Sequence, residues 1–392
     1  MDLLHPDHLR NPHIAYGQVR DALPVMPFPQ ANCWILLDHA SVKQALTDTA
    51  AFSSRAHQQG NAPFDWMIFQ DPPRHTRLRN LVLKAFTPGT IAALEPRIAQ
   101  ISSTLLDDIG NLTEFDAAAQ FSSLLPMIVI AELLGIPAAD RARFQTWADA
   151  TLGLALTLVG GETGMIAAQK YGQATVEMSQ YLTEFLAHRP SAPPVAGSAD
   201  DNLLNRLATA ELDGERLTHA EILGFFQLLL LAGSETTTNL IGNTLVCLLD
   251  HPDQRELLRR RPELLPAAIE ESLRFRSPLQ FVFRQTLREV ELRGQRIPEG
   301  ELVLASLGSA NRDAGAFENP DRFDITRDPN PHLAFGHGIH FCLGAPLGRL
   351  EARVALGHFL DRFPSFAYAD EDWVPRPTFH VHGPASLRLR IA

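Results

Sequence analysis

Cysteine is scarce. Cys33, Cys247 and Cys342 are the only three in 392 residues, too few for a disulfide framework and in keeping with a reducing compartment. Positive charge is short as well: 34 Lys and Arg stand against 45 Asp and Glu, a formal net charge of −11. Such a balance argues against a general binder of nucleic acid or of anionic membrane surfaces. Long hydrophobic runs are missing too. The most apolar helical stretch, residues 222–231, contains Gln227 and soon meets Ser234, Glu235 and three threonines, too short and too quickly polar to span a bilayer. The start, MDLLHPDHLRNPH, has no basic opening, apolar core or small-residue cleavage site, so no signal peptide is expected and the reading is cytoplasmic. No internal repeat and no clear break divides the chain, which reads as a single domain over residues 1–392. What remains, 45% hydrophobic and 20% charged residues, is the composition of an ordinary globular protein.

Helices dominate the pattern. Apolar residues recur at three- and four-residue spacing from Thr90 to about Arg189, and residues 189–201, rich in Pro, Ala, Ser and Gly, read as an exposed loop. Thr218 followed by Glu221 is a capping box that opens a helix running to about Leu249, about 48 Å long at 1.5 Å per residue. It is apolar nearly all round and is expected to be buried. A shorter helix at 266–275 stops before Ser277-Pro278. Strands are expected at 33–37, 281–286, 290–292 and 302–305, with a helix at 41–46, a last helix at about 345–360 and a terminal strand pair around 378–381 and 387–391. The fold class is therefore mainly α with small peripheral β-sheets.

The most informative segment is Phe335-Gly336-His337-Gly338-Ile339-His340-Phe341-Cys342-Leu343-Gly344. Its glycines let the backbone turn tightly and approach a flat partner closely. Cys342 lies just ahead of the last helix, where peptide N–H groups and the helix dipole favour a thiolate over a thiol. An anionic sulfur is what a thiolate-ligated haem needs to push electron density toward O–O cleavage. The residues leave two other readings open: a zinc set of His337, His340 and Cys342, for which no second Cys/His cluster supplies a fourth ligand, or an inert packed thiol such as Cys33 and Cys247.

Four further patterns carry chemistry. Ala232-Gly233-Ser234-Glu235-Thr236-Thr237 breaks the greasy helix with polar groups that need a reason to be buried. Small Ala232 and Gly233 leave room for a flat cofactor and a diatomic ligand, while Glu235 and Thr236 form an acid–alcohol pair suited to delivering protons. Glu271 and Arg274 lie three apart on one helix face, a weak signal in isolation. His75 and Arg79, at i and i+4, can clamp a pair of carboxylates. The stretch from Arg74 to Lys84 holds four Arg and Lys and no acid, which suggests a basic patch for an acidic electron carrier.

Taken together, the run F-G-x-G-x-H-x-C-x-G from Phe335 to Gly344 resembles the haem-binding signature of the cytochrome P450 family at every defining position. By that resemblance Cys342 is the proximal iron ligand, Phe335 shields its thiolate, and His340 bonds a haem propionate. The stretch from Ala232 to Thr236 is similar to the family's oxygen-activation motif. His75 and Arg79 match its propionate anchors, with Arg284 as a third. Glu271, Arg274 and Arg322 match a buried structural network. One departure stands nearby: Leu347-Gly348-Arg349 where the family commonly has Leu-Ala-Arg. The resemblance covers nearly the whole chain and implies the cytochrome P450 fold, heme b (iron protoporphyrin IX) as cofactor, and a monomeric monooxygenase that uses O2 to hydroxylate an apolar, mid-sized substrate. Pocket walls are expected at 64–69, 151–173, 228–232, 279–283 and 380–385, segments rich in apolar side chains. Electrons would come from a ferredoxin or flavodoxin with its NAD(P)H-dependent reductase, because no flavin or iron–sulfur motif is left over. A non-catalytic haem protein, either gas sensor or electron carrier, is the rival, and Glu235 with Thr236 argues against it.

Overall fold

The computed structural model describes residues 5–55, 66–154, 157, 161–188 and 201–391. Residues 189–200 of the loop expected at 189–201, and parts of two expected pocket walls, residues 64–65, 155–156 and 158–160, lie outside the described residues. The chain forms two compact units, one of residues Met1–Ser53, Glu95–Leu125 and Thr236–Ala392, the other of Ser54–Leu94 and Pro126–Glu235.

In the first unit a five-stranded sheet has the order Val25–Phe28, Cys33–Leu36, Leu302–Ser306, Phe281–Thr286 and Phe52–Ser53. Cys33–Leu36 runs parallel to Leu302–Ser306, and the other pairs are antiparallel. The two central strands are apolar along their length, as expected of strands covered on both sides. Leu36, Val42, Phe52, Ile297, Val303 and Leu307 close the core beside them. Asp38 caps the helix His39–Thr47, its Oδ1 accepting from Ser41 N at 3.1 Å.

Two helices close to the N-terminus, Pro6–Arg10 and Pro12–Arg20, have no counterpart in the sequence reading; each opens with proline at its first position. The terminal strand pair also differs from expectation. Arg388–Ile391 pairs with Phe366–Tyr368 and Glu114–Asp116 rather than with residues 378–381. Of those, Val381 makes only an isolated bridge to Leu279.

In the second unit the helix Arg141–Gly153 packs on Gly161–Ala187 through Phe144, Trp147 and Tyr181, with ring centroids 4.8 to 5.7 Å apart. The helix Arg74–Ala85 and the hairpin of Glu211–Leu212 with Glu215–Arg216 also belong here.

The long helix spans His219–Asp250, 32 residues. Its start is the anticipated capping box. Thr218 N donates to Glu221 Oε2 at 2.9 Å, and Glu221 N donates to Thr218 Oγ1 at 3.2 Å. Residues 237–248 are buried without a break although five of them are polar; Asn243 Nδ2, for one, donates to Arg276 O at 2.9 Å and His382 O at 2.8 Å. No described helix is long and apolar enough to cross a membrane.

Candidate active site

Backbone geometry explains the cysteine loop. Gly336 and Gly338 hold φ of 71° and 70°, a left-handed conformation that costs other residues roughly 1–2 kcal/mol. A Cβ at Gly338 would also stand 2.7 Å from the Leu46 carbonyl oxygen. The two glycines let the chain double back so that Cys342 N donates to Phe335 O at 2.9 Å. Cys342 then sits just ahead of the helix Ala345–Arg362, with Gly344 at its N-cap, and a Cβ on Gly344 would lie 3.9 Å from Cys342 Sγ.

The three thiols differ in setting. Cys33 and Cys247 are buried, and burial pushes each up to about 12, so both stay protonated as packing residues. Cys342 is only half-buried and stands at the helix end that favours an anion. No group of three or more His, Cys, Asp and Glu suited to a metal ion occurs among the described residues. His337, His340 and Cys342 therefore do not converge as a zinc set. A single accessible thiol on a glycine-shaped loop has the chemistry of a thiolate that would hold a haem iron.

The long helix opens locally. Amid buried residues, Ala232 is exposed and Gly233 and Thr236 are half-buried, while Glu235 is buried. Ala232 and Thr236 are one turn apart, so they share a face. Ser234 is accounted for differently: its Oγ donates to Leu230 O at 2.7 Å within the helix. Gly233 has a packing reason, since a Cβ there would meet Ile130 Cδ1 at 2.9 Å.

His75 is buried and Arg79 half-buried on the helix Arg74–Ala85. Arg284 is buried in the strand Phe281–Thr286, where its Nη1 donates to Phe283 O at 2.7 Å. Phe335, His340 and Gly344 are half-buried in the cysteine loop. Thus His75, Arg79, Ala232, Gly233 and Glu235 belong to one unit and Thr236, Arg284, Phe335, His340, Cys342 and Gly344 to the other.

Two sequence expectations need correction. The cations from Arg74 to Lys84 are not an open patch. Arg77 pairs with Glu221 and, at 3.4 Å, with Glu215; Arg74 reaches Glu221 at 3.7 Å, and Lys84 Nζ donates to Glu211 O at 2.8 Å. Glu215 and Glu221, about 140 positions along the chain, face the two arginines, and Lys84 is tied to a backbone carbonyl, none of which local charge counting sees. The second correction concerns the buried network. Glu271 and Arg274 are fully buried and bidentate, at 2.8 Å for both hydrogen bonds. Arg322 gives only its backbone carbonyl, 3.0 Å from Arg274 Nη2, while its side chain is 66% exposed and 3.9 Å from Asp324. Arg327, 11% exposed, completes the network instead, its Nε 3.2 Å from both Glu271 oxygens. Asp324 N, at 2.9 Å, and Asn330 Nδ2, at 3.3 Å, fill the remaining acceptor sites of Glu271.

Sequence reasoning also passed over Glu270, beside Glu271. It accepts bidentately from Arg349, 2.7 Å for both bonds, and from His332 at 2.9 Å. Adjacent carboxylates on a helix point about 100° apart and cannot share one partner, which is the signal that a second network stood next to the first.

Comparison with known proteins identifies the family. The family model described as Cytochrome P450 matches residues 166–380. Cytochrome P450 107B1 of Saccharopolyspora erythraea is 42% identical over 377 residues, 91% of this chain and 89% of that protein. A vitamin D(3) 25-hydroxylase of Pseudonocardia autotrophica is 40% identical, over 94% of this chain and 90% of its own. The solved structure of cytochrome P450 CYP109Q5 from Chondromyces apiculatus superposes with a TM-score of 0.90 at 39% identity, covering 100% of this chain and 98% of that one. The chain belongs to the cytochrome P450 family and is a haem-dependent monooxygenase.

Proposed function

We propose that the chain binds iron protoporphyrin IX through Cys342 and hydroxylates an apolar, mid-sized organic substrate, its 392 residues acting as one catalytic domain. The observation that carries this reading is the cysteine loop: the one half-buried thiol of the chain, ahead of a helix N-terminus, on backbone that only glycine can shape. The bound haem supplies O2 activation and transfer of one oxygen atom to a C–H bond, given two electrons from outside.

The chain's own residues do the rest. Cys342 donates its thiolate charge to the iron, and Phe335 and Gly344 border it. His75, Arg79, Arg284 and His340 hold the propionates by charge and hydrogen bonds. Ala232 and Gly233, with the smallest side chains, would leave room beside the helix for the cofactor. Glu235 would take up protons and pass them to the Thr236 hydroxyl, an acid–alcohol relay for the oxygen chemistry that the haem would supply. Electrons come from a ferredoxin or flavodoxin with an NAD(P)H-dependent reductase. The vitamin D hydroxylase among the relatives supports an apolar, polycyclic-sized substrate class, in line with the apolar segments expected to wall the site.

The test is spectroscopic. Reduced, CO-treated protein is expected to give the strongly red-shifted Soret band of a thiolate-bound haem, and Cys342→Ser to lose it while still folding. An ordinary haem band in the unaltered protein would overturn the ligand assignment. With a surrogate redox pair, Thr236→Ala is expected to turn over NAD(P)H largely without product. Unchanged coupling would remove Thr236 from the proton route.

A further inference from the structure

We propose that Glu270 and Arg349 are a positioning pair that holds a fixed positive charge over the Phe335 ring, beside the Cys342 loop, and thereby restrains how much electron density the sulfur gives to iron. This inference rests on the haem-thiolate reading above and assigns Arg349 a part in tuning that ligand.

Arg349 lies in the helix that follows the cysteine, and its guanidinium carbon stands 4.4 Å from the centre of the Phe335 ring. Phe335 is in turn the residue whose carbonyl accepts from Cys342 N, at 2.9 Å. The guanidinium is therefore one side chain removed from the ligand loop. Free rotation is denied to it, because Nε and Nη2 both donate to Glu270, 2.7 Å for each bond. Glu270 fixes the loop from a second direction through His332, 2.9 Å away. His332 Nδ1 accepts from Ala334 N at 3.3 Å, so the ring proton sits on Nε2 and is given to the carboxylate.

One carboxylate on the helix Leu265–Phe275 thus grips the segment leading into Phe335 and the helix leading out of Cys342. Burial works to raise the Glu270 carboxyl, but Arg349 and His332 outweigh it and hold it down at about 2. Hydrogen bonding to Glu270 raises Arg349, burial opposes that, and the negative charge available at Cys342 adds to the rise. Both members are therefore ionised at any working pH. The planar fork is required, since a lysine can neither chelate Glu270 nor lie flat on the ring.

The direction of the effect follows from charge. A cation near an anionic sulfur stabilises charge on the sulfur and favours the added electron of the reduced state. Taking that cation away should leave the iron harder to reduce.

The experiment measures the ferric/ferrous reduction potential of the purified holoenzyme and of Arg349→Gln, Arg349→Lys and Glu270→Asp. Arg349→Gln is expected to lower the potential, and the two charge-conserving variants to lower it by part of that shift. The conservative variants keep every charge and serve wherever the Gln variant does not load haem. Potentials that coincide with the unaltered enzyme overturn the inference, as does a rise. A red-shifted CO band in the unaltered enzyme is the internal control. Its absence would defeat the haem-thiolate reading itself, whereas its presence with unmoved potentials defeats only the role of Glu270 and Arg349.

Discussion

The Glu271 network can be taken apart one arginine at a time. Glu271→Gln keeps the shape of the side chain but strands the Arg274 guanidinium, fully buried, among carbonyl acceptors: Asn311 O at 2.9 Å, Pro320 O at 2.7 Å and Arg322 O at 3.0 Å. Breaking a buried pair by removing one partner costs about 3–5 kcal/mol. Unfolding entropy of about 2.1 cal/mol/K per residue over a chain of this length makes that a fall of about 4–6 °C in Tm. Arg327→Gln should cost a similar amount, because its side chain is 11% exposed and shares both oxygens of Glu271. Arg322→Gln should cost less than about 1 kcal/mol, since it breaks only a surface pair at 3.9 Å with the arginine 66% exposed. Differential scanning calorimetry of the three variants, loaded to the same haem content, gives the comparison. If Arg322→Gln melts as low as Arg327→Gln, the arrangement described for this network is wrong.

Other expectations are more local. Burial raises Glu351 well above the ordinary carboxyl value, so it is kept neutral when folded and ionises on unfolding; stability linked to it is full below about pH 4.5 and lost as pH rises toward the folded value. Glu351→Gln should therefore melt higher than the unaltered protein at pH 8 and about level with it at pH 4.5, and a deficit at pH 8 would contradict this. Gly233→Ala gains about 1 kcal/mol of helix propensity but drives a Cβ to 2.9 Å from Ile130 Cδ1. A double-mutant cycle with Ile130→Val should show coupling of about 0.5–2 kcal/mol, and strict additivity would dismiss the contact. Glu221→Gln removes the charge that binds Arg77 and Arg74 and weakens the helix cap. A loss of about 1–3 kcal/mol with faster amide exchange in residues 74–85 is expected, and unchanged exchange there would show that the pairs do not hold that helix.

Local signals were the legible ones. The capping box of Thr218 and Glu221 set the start of the long helix to within one residue, and strand 281–286 was read in full. The glycine-shaped loop before Cys342 was equally plain, because each position answers to backbone geometry rather than to a distant neighbour. Long-range partners were not legible. The pairing of Arg388–Ile391 with Phe366–Tyr368 and Glu114–Asp116 depends on segments far apart in sequence, and register carries no local mark. The part played by Arg327 was hidden for the same reason: it and Arg322 lie in one short loop, and only folding decides which side chain turns inward. Likewise, Arg74, Arg77 and Lys84 look like an open basic face until Glu211, Glu215 and Glu221 come alongside. The candidate residues could thus be named from the sequence, while the distant partners of Glu271 and Arg77 could not.

The contrast among the three cysteines has a practical consequence. Cys33 and Cys247, buried and pushed up to about 12, present almost no thiolate to an alkylating reagent at neutral pH. Cys342 alone is reachable, so the folded chain stripped of its cofactor behaves toward such a reagent as a single-thiol protein. Under the proposed ligation, iodoacetamide uptake counted by mass spectrometry would gauge loading, one adduct per molecule without haem and none where Cys342 holds it. The same asymmetry makes Cys342 the place where oxidation during storage would irreversibly retire a molecule from service.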